Sequence, residues 1–153
     1  MPDPDSDPRT LRTARTLPYT ATAIYGAFAS PQQLAAWWGP EGFSNSFEVF
    51  EFTAGGRWQF VMHGPDGTDY ANECVFAALE PARRVVIRHT CAPLFTLTVE
   101  LQAETAAAGA TRITWEQAFD DAATAEAVRA VCEPANEQNL DRLARVLAGA
   151  PAR

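Results

Sequence analysis

The two histidines, His63 and His89, are the side chains of this chain best suited to acid–base chemistry, because imidazole exchanges its proton near neutral pH. Each closes a run of alternating residues. Asp66, Asp69, Asp120 and Asp121 fall in the neighbouring breaks, so an imidazole near carboxylates is within reach as a general acid or base. His63 abuts Gly64-Pro65-Asp66-Gly67 and reads as an exposed hairpin residue. His89 continues the face of Val85 and Ile87; its ring either turns into a cavity mouth or lies on the outer surface. Familiar catalytic signatures are missing: there is no G-x-S-x-G, no H-E-x-x-H, no phosphate-cradling G-x-x-x-x-G-K and no dinucleotide-binding glycine pattern. Two histidines make a multi-ligand metal site hard to build. Cys74, Cys91 and Cys132 are odd in number and lack a C-x-x-C pair, so they read as reduced, mostly buried thiols. Neither a metal nor a cofactor is expected.

Two further features carry information. Asn136 falls on the apolar stripe of the last helical segment, where an unpartnered amide would cost about 1–3 kcal/mol. Its partner is a backbone group freed by Pro134, a polar wall residue such as Gln117, or a ligand; Asn139 lies nearer the stripe's edge and is the weaker candidate. Trp37-Trp38-Gly39-Pro40 places two indoles side by side, and helical neighbours diverge by about 100°. One indole is thus anchored and the other shown to a cavity or to solvent. Trp38, beside the helix-ending Gly-Pro, is expected to be the shown one and Trp37 the anchored one.

The elements that must position these residues follow from period and punctuation. Arg9 to Leu17 suits an exposed edge strand. Thr20 caps a short helix through Phe28, and Ser30-Pro31 starts a second that ends at Trp37 or Trp38. The period then changes to two. Ser46 to Phe52, Arg57 to His63, Thr68 to Leu79, Arg83 to Thr90, Phe95 to Ala103 and Thr111 to Phe119 read as strands separated by turn chemistry. Thr124 to Ala148 is helical, with Val128, Cys132, Leu140, Leu143 and Leu147 as its stripe and Gly149-Ala150-Pro151 ending it. Pro134 inside it predicts a kink rather than two helices.

Residues 9–149 are thus one domain behind a disordered tail, residues 1–8, and the fold class is α+β. The chain of 153 residues carries 19 acidic against 12 basic side chains, a formal charge of -7, which repels nucleic acid. No apolar run is long enough to span a bilayer and the polar start is unlike a signal peptide, so a cytoplasmic protein is expected.

Three segments in this order resemble a known family: Tyr25 to Pro40, containing A-F-A-S-P-Q-Q-L-A-A-W-W-G-P; G-G-R-W-Q-F-V-M at Gly55 to Met62; and N-L-D-R-L at Asn139 to Leu143. They look like the homologues of the heat-shock-protein ATPase activator, within the START-like (SRPBCC) helix-grip superfamily that includes the birch-pollen allergen and polyketide cyclases. The resemblance covers roughly Arg9 to Ala148. It implies a seven-stranded curved antiparallel sheet wrapped on a long C-terminal helix, with two short helices between strands one and two and an apolar cavity between sheet and helix.

In such a fold, alternation puts Trp58, Phe60 and Met62, then Asn72 and Phe76, then Phe95, then Trp115 and Gln117 on the inward face. With Trp38, His89 and Asn136 they are the expected ligand-binding residues; His89 and His63 are the catalytic candidates. The expectation is a small cytoplasmic binding protein, monomer or homodimer, that holds an apolar or aromatic molecule. A cyclase- or hydrolase-type enzyme using the same cavity and a chaperone-associated module are the alternatives. The eukaryotic co-chaperone of the family carries an additional N-terminal domain where this chain has only a tail, so no stimulation of a chaperone ATPase is expected.

Overall fold

The computed structural model describes residues 7–149. Most of the expected tail, residues 1–6, lies outside them, as do Ala150 and Pro151. Asp7 is held in a turn, its carbonyl accepting from Thr10 N at 2.9 Å.

The chain runs β1 (Thr10–Leu17), α1 (Ala21–Ala29), α2 (Pro31–Trp37), β2 (Ser44–Phe50), β3 (Arg57–His63), β4 (Asp69–Glu80), β5 (Arg84–His89), β6 (Phe95–Ala103), β7 (Thr111–Phe119) and α3 (Ala122–Leu147). The seven strands form one antiparallel sheet in the order β1-β7-β6-β5-β4-β3-β2. Strands two to seven are a meander of short connections. β1 closes against β7, and α1 and α2 carry the chain from that edge to the other. α3 lies against β1 and β7 and touches both short helices. This is the expected α+β helix-grip arrangement.

Local chemistry sets the helix starts. Thr20 Oγ1 accepts from Ala23 N at 3.1 Å and Ser30 Oγ from Gln33 N at 3.3 Å, with Pro31 opening α2. Asp121 accepts from Thr124 N at 2.7 Å, so α3 begins at Ala122 rather than at Thr124. The helix continues through Pro134, and the split into two helices does not occur. β2 departs from expectation, lying at Ser44–Phe50 instead of Ser46 to Phe52. Ser44 and Asn45 pair with His63 and Met62 as soon as β3 offers partners, and a register shift between Phe47 and Val49 ends the alternation that local composition implied.

Side chains of both layers meet in one main cluster. Ile24, Phe28 and Leu34 from the short helices bury against Trp58, Phe76, Ile87, Val99 and Ile113 of the sheet and Leu140 and Leu143 of α3. Trp37 is the anchor of its pair, fully buried, with Nε1 donating to Ala27 O at 3.0 Å. Trp38 is also buried, crossing Trp37 at 64° with centroids 5.7 Å apart. The stripe of α3 is uneven. Before Pro134 only Ala125 is buried, whereas Asn139, Leu140, Arg142 and Leu143 are buried after it, and Val131 is 73% exposed.

Candidate functional site

Between the inner face of the sheet and the middle of α3 lies a pocket of about 250 Å³. Trp38, Phe60 and Met62 form one side, Phe95 and Trp115 the other, and Cys132, Asn136 and Asn139 of α3 the roof. Asn72 and His89 border it near the end of the sheet where the His63–Thr68 and Thr90–Leu94 connections lie. Nine of the eleven expected ligand contacts therefore line one volume: Trp38, Phe60, Met62, Asn72, His89, Phe95, Trp115, Gln117 and Asn136. Trp58 and Phe76 do not border it. Both are fully buried in the core, where their rings stack on each other at 5.7 Å and 9° and Trp38, 5.0 Å from Trp58, stands between them and the pocket.

The polar groups in this wall are few and oriented. Asn136 Nδ2 donates to Gln117 Oε1 at 3.1 Å, so its partner is the wall residue and not backbone freed by Pro134. Trp115 Nε1 is buried, closed off from the pocket, and has no hydrogen-bond partner among the described residues. His89 turns inward. Its ring stacks on Phe95 at 4.5 Å and 15°, with Nδ1 2.7 Å from Pro93 O and Nε2 2.7 Å from Asn72 Oδ1. Burial pushes the imidazole pKa down, and the hydrogen bonds to Pro93 and Cys91 oppose that shift. Burial also pushes the Cys74 thiol of the same wall up to about 12.

His63 lies elsewhere. It alternates with Met62 and so points to the outer face of the sheet, where Nε2 is 2.7 Å from Ser46 Oγ and Nδ1 2.7 Å from Asp69 Oδ1. The serine–histidine–aspartate order is present, yet the relay sits on an open surface rather than in the pocket. None of the four aspartates expected near the mouth faces the pocket. Asp66 accepts from Thr68 N, Asp69 holds His63, Asp121 caps α3, and Asp120 makes two bonds to Arg88, which hold its carboxyl below the usual range.

Two residues fix the pocket's Trp38-Gly39-Pro40 side: Asn139, the weaker candidate of the sequence, and Arg142, which sequence reasoning passed over. Asn139, placed at the stripe's edge, is buried: Oδ1 accepts from Gly39 N at 3.2 Å and Nδ2 donates to Trp37 O at 2.9 Å. Arg142 is 3% exposed, and its guanidinium donates to the carbonyls of Ala36, Trp38, Gly39, Pro40 and Phe43 at 2.7–3.0 Å. The Ala36 carbonyl belongs to the last turn of α2, where it has no helical donor, and the other four follow in the connection to β2. Gly39 itself has φ +94°, a backbone conformation that favours glycine, and a Cβ there would displace the flexible tip of Met62, 2.7 Å away. The signal was in the spacing: Asn139, Leu140, Arg142 and Leu143 recur as one face of α3.

The fold is shared with solved structures. A solution structure of a protein from Arthrobacter aurescens is 22% identical, covers 97% of this chain and 93% of its own, and superposes with a TM-score of 0.85. A crystal structure from Nitrosomonas europaea is 19% identical over 94% of this chain and 97% of its own, with a TM-score of 0.84. DynU16, a protein of the dynemicin biosynthetic locus, is 21% identical over 95% of this chain and 49% of its own, with a TM-score of 0.71. No curated protein sequence matches. The profile of one family matches residues 18–148, which hold every element from α1 to α3 and the whole pocket, and the chain therefore belongs to the family of activator of Hsp90 ATPase homolog 1-like proteins, in the START/SRPBCC superfamily.

Proposed function

We propose that the protein is a small-molecule carrier or receptor that holds one apolar, aromatic ligand between sheet and α3. The observation that carries this reading is the pocket itself, walled by Trp38, Phe60, Met62, Phe95 and Trp115, with Asn136 in its roof using one of its two amide N–H groups on Gln117. Its size narrows the ligand. About 250 Å³ exceeds the roughly 150 Å³ that admits benzene and falls just below the range of about 300–1,000 Å³ for drug-sized molecules. A one- or two-ring compound with a carbonyl or other acceptor fits both the volume and the donor. The protein acts as a monomer or homodimer in the cytoplasm, and no helix of the described residues is long and apolar enough to cross a membrane. Thermal shifts against a panel of one- and two-ring ketones, phenols and alkanes test it, with native mass spectrometry for stoichiometry. One ketone bound per chain, a raised Tm and blue-shifted tryptophan emission are expected; no shift across the panel overturns the reading.

A second reading, an enzyme of the cyclase or hydrolase kind, is favoured by one observation, the inward His89 with two oriented nitrogens. It predicts that His89→Gln abolishes turnover of a pocket ligand while His63→Gln, on the outer face, leaves it intact. A chaperone-associated role rests on the family name alone, and no saturable stimulation of a chaperone ATPase is expected.

A further inference from the structure

At the rim of the pocket, where β5 ends, His89 and Asn72 of its lining meet Cys91, which lies beside it. His89 Nδ1 faces the carbonyl of Pro93 at 2.7 Å, an atom that only accepts, so Nδ1 carries a proton and Nε2 is the nitrogen free to take one. Nε2 is 3.4 Å from Cys91 Sγ and 2.7 Å from Asn72 Oδ1. The Asn72 amide is oriented by its Nδ2, which donates to Tyr70 O at 3.0 Å, so its oxygen is the atom turned to the ring. That oxygen has nothing to accept while Nε2 is bare and gains an N–H once Nε2 is protonated. Cys91 Sγ in turn accepts the backbone N–H of Glu73 at 3.4 Å. The Asn72 oxygen and the Glu73 N–H thus favour a proton on nitrogen over one on sulfur, against the Glu73 carbonyl, 3.9 Å from Sγ, which favours the thiol. Burial keeps the resting imidazole neutral, as a base must be.

We propose that Cys91 is a nucleophile, with His89 as its general base, and that it adds to an α,β-unsaturated ketone carried on an aromatic ring. This rests on the reading of the pocket as a binding site. In the step, a bond forms between Sγ and the β carbon as the C=C π pair moves toward the carbonyl, and the thiol proton passes to His89 Nε2. That proton then goes from Nε2 to the α carbon. No atom leaves and no further reactant is needed. The second amide N–H of Asn136, on the pocket roof, is the donor for a ketone oxygen. Asn72 is a positioning residue that stabilises the protonated ring.

The test is intact-mass and peptide-mapping analysis after incubation with benzylideneacetone. A single adduct on Cys91 is expected, its rate saturating with probe concentration. His89→Gln should slow it about 100-fold, in line with the usual contribution of a general base. Asn72→Leu should slow the saturated rate about tenfold, the loss expected when the protonated ring is left without one acceptor. Far-UV circular dichroism and Tm of each variant are the folding control. An adduct on Cys132 instead of Cys91, or an unchanged rate in folded His89→Gln, overturns the proposal. The saturated analogue benzylacetone separates the two readings. A raised Tm with it, but no adduct from the enone, removes the nucleophile and leaves the pocket. A non-saturating enone rate with no Tm shift overturns the pocket and the enone together.

Discussion

Arg142 shows what one side chain does to the pocket wall. Burial pushes its pKa down, yet a guanidinium stays protonated and offers five N–H donors in a fixed fork, which suits it to converging carbonyls. Lysine has three donors on a point charge and does not reproduce that geometry. Arg142→Lys should therefore destabilise by about 2 kcal/mol or more, and Arg142→Met by more still, because buried carbonyls lose their partners at about 1–3 kcal/mol each; urea melts measure both. The Asn136–Gln117 pair behaves differently, being a neutral bond between two half-buried or buried amides. Asn136→Leu should lower stability by about 1–2 kcal/mol because Gln117 Oε1 loses its donor, and Asn136→Leu with Gln117→Leu should recover most of that loss. A double mutant no more stable than the single one would sink this account. Sequence alone located Asn136, since a polar residue on an apolar stripe is conspicuous. It passed over Arg142, because a charged residue in a helix reads as solvated until tertiary packing supplies acceptors.

Among the elements, those whose boundaries are set by local chemistry were legible. β3, β6 and β7 lie where alternation and turn residues put them, and the Thr20 and Ser30 caps start α1 and α2. Those set by a partner were not: β2 begins where β3 can pair with it, and Trp58 and Phe76 share the inward face without reaching the pocket because Trp38 intervenes. Alternation gives the face of a residue but not its depth along the strand relative to a helix. Pro134 gives a prediction at this scale. It is exposed, lies within a continuous helix and supplies no N–H to the carbonyl four residues earlier. Pro134→Ala should raise stability by about 1–3 kcal/mol, seen as a higher Tm, provided that α3 keeps its place on the sheet.

For the whole molecule, the buried thiol of Cys74 predicts how stability responds to alkali. Its pKa rises from 9.0 to about 12 on folding, so below pH 9 the thiol is protonated in both states and contributes nothing. Above that the unfolded chain gives up the proton while the folded one keeps it, and stability falls as pH rises toward 12, by up to about 1.4 kcal/mol per unit. Cys74→Ala should flatten that part of the profile in melts from pH 8 to 11. The uneven burial of α3 has a kinetic consequence. Its second half is tied down by Asn139, Leu140, Arg142 and Leu143, whereas Ala125 alone is buried before Pro134. Amide hydrogens of the first half should therefore exchange through a low-energy local opening, and those of the second half only on global unfolding. Cys132 and Asn136 of the pocket roof lie on either side of Pro134, where that difference in burial falls. Under the proposed carrier function, residence time follows how often residues 122–133 fray, so a substitution that strengthens the Asp121 cap should slow release while leaving equilibrium affinity nearly unchanged.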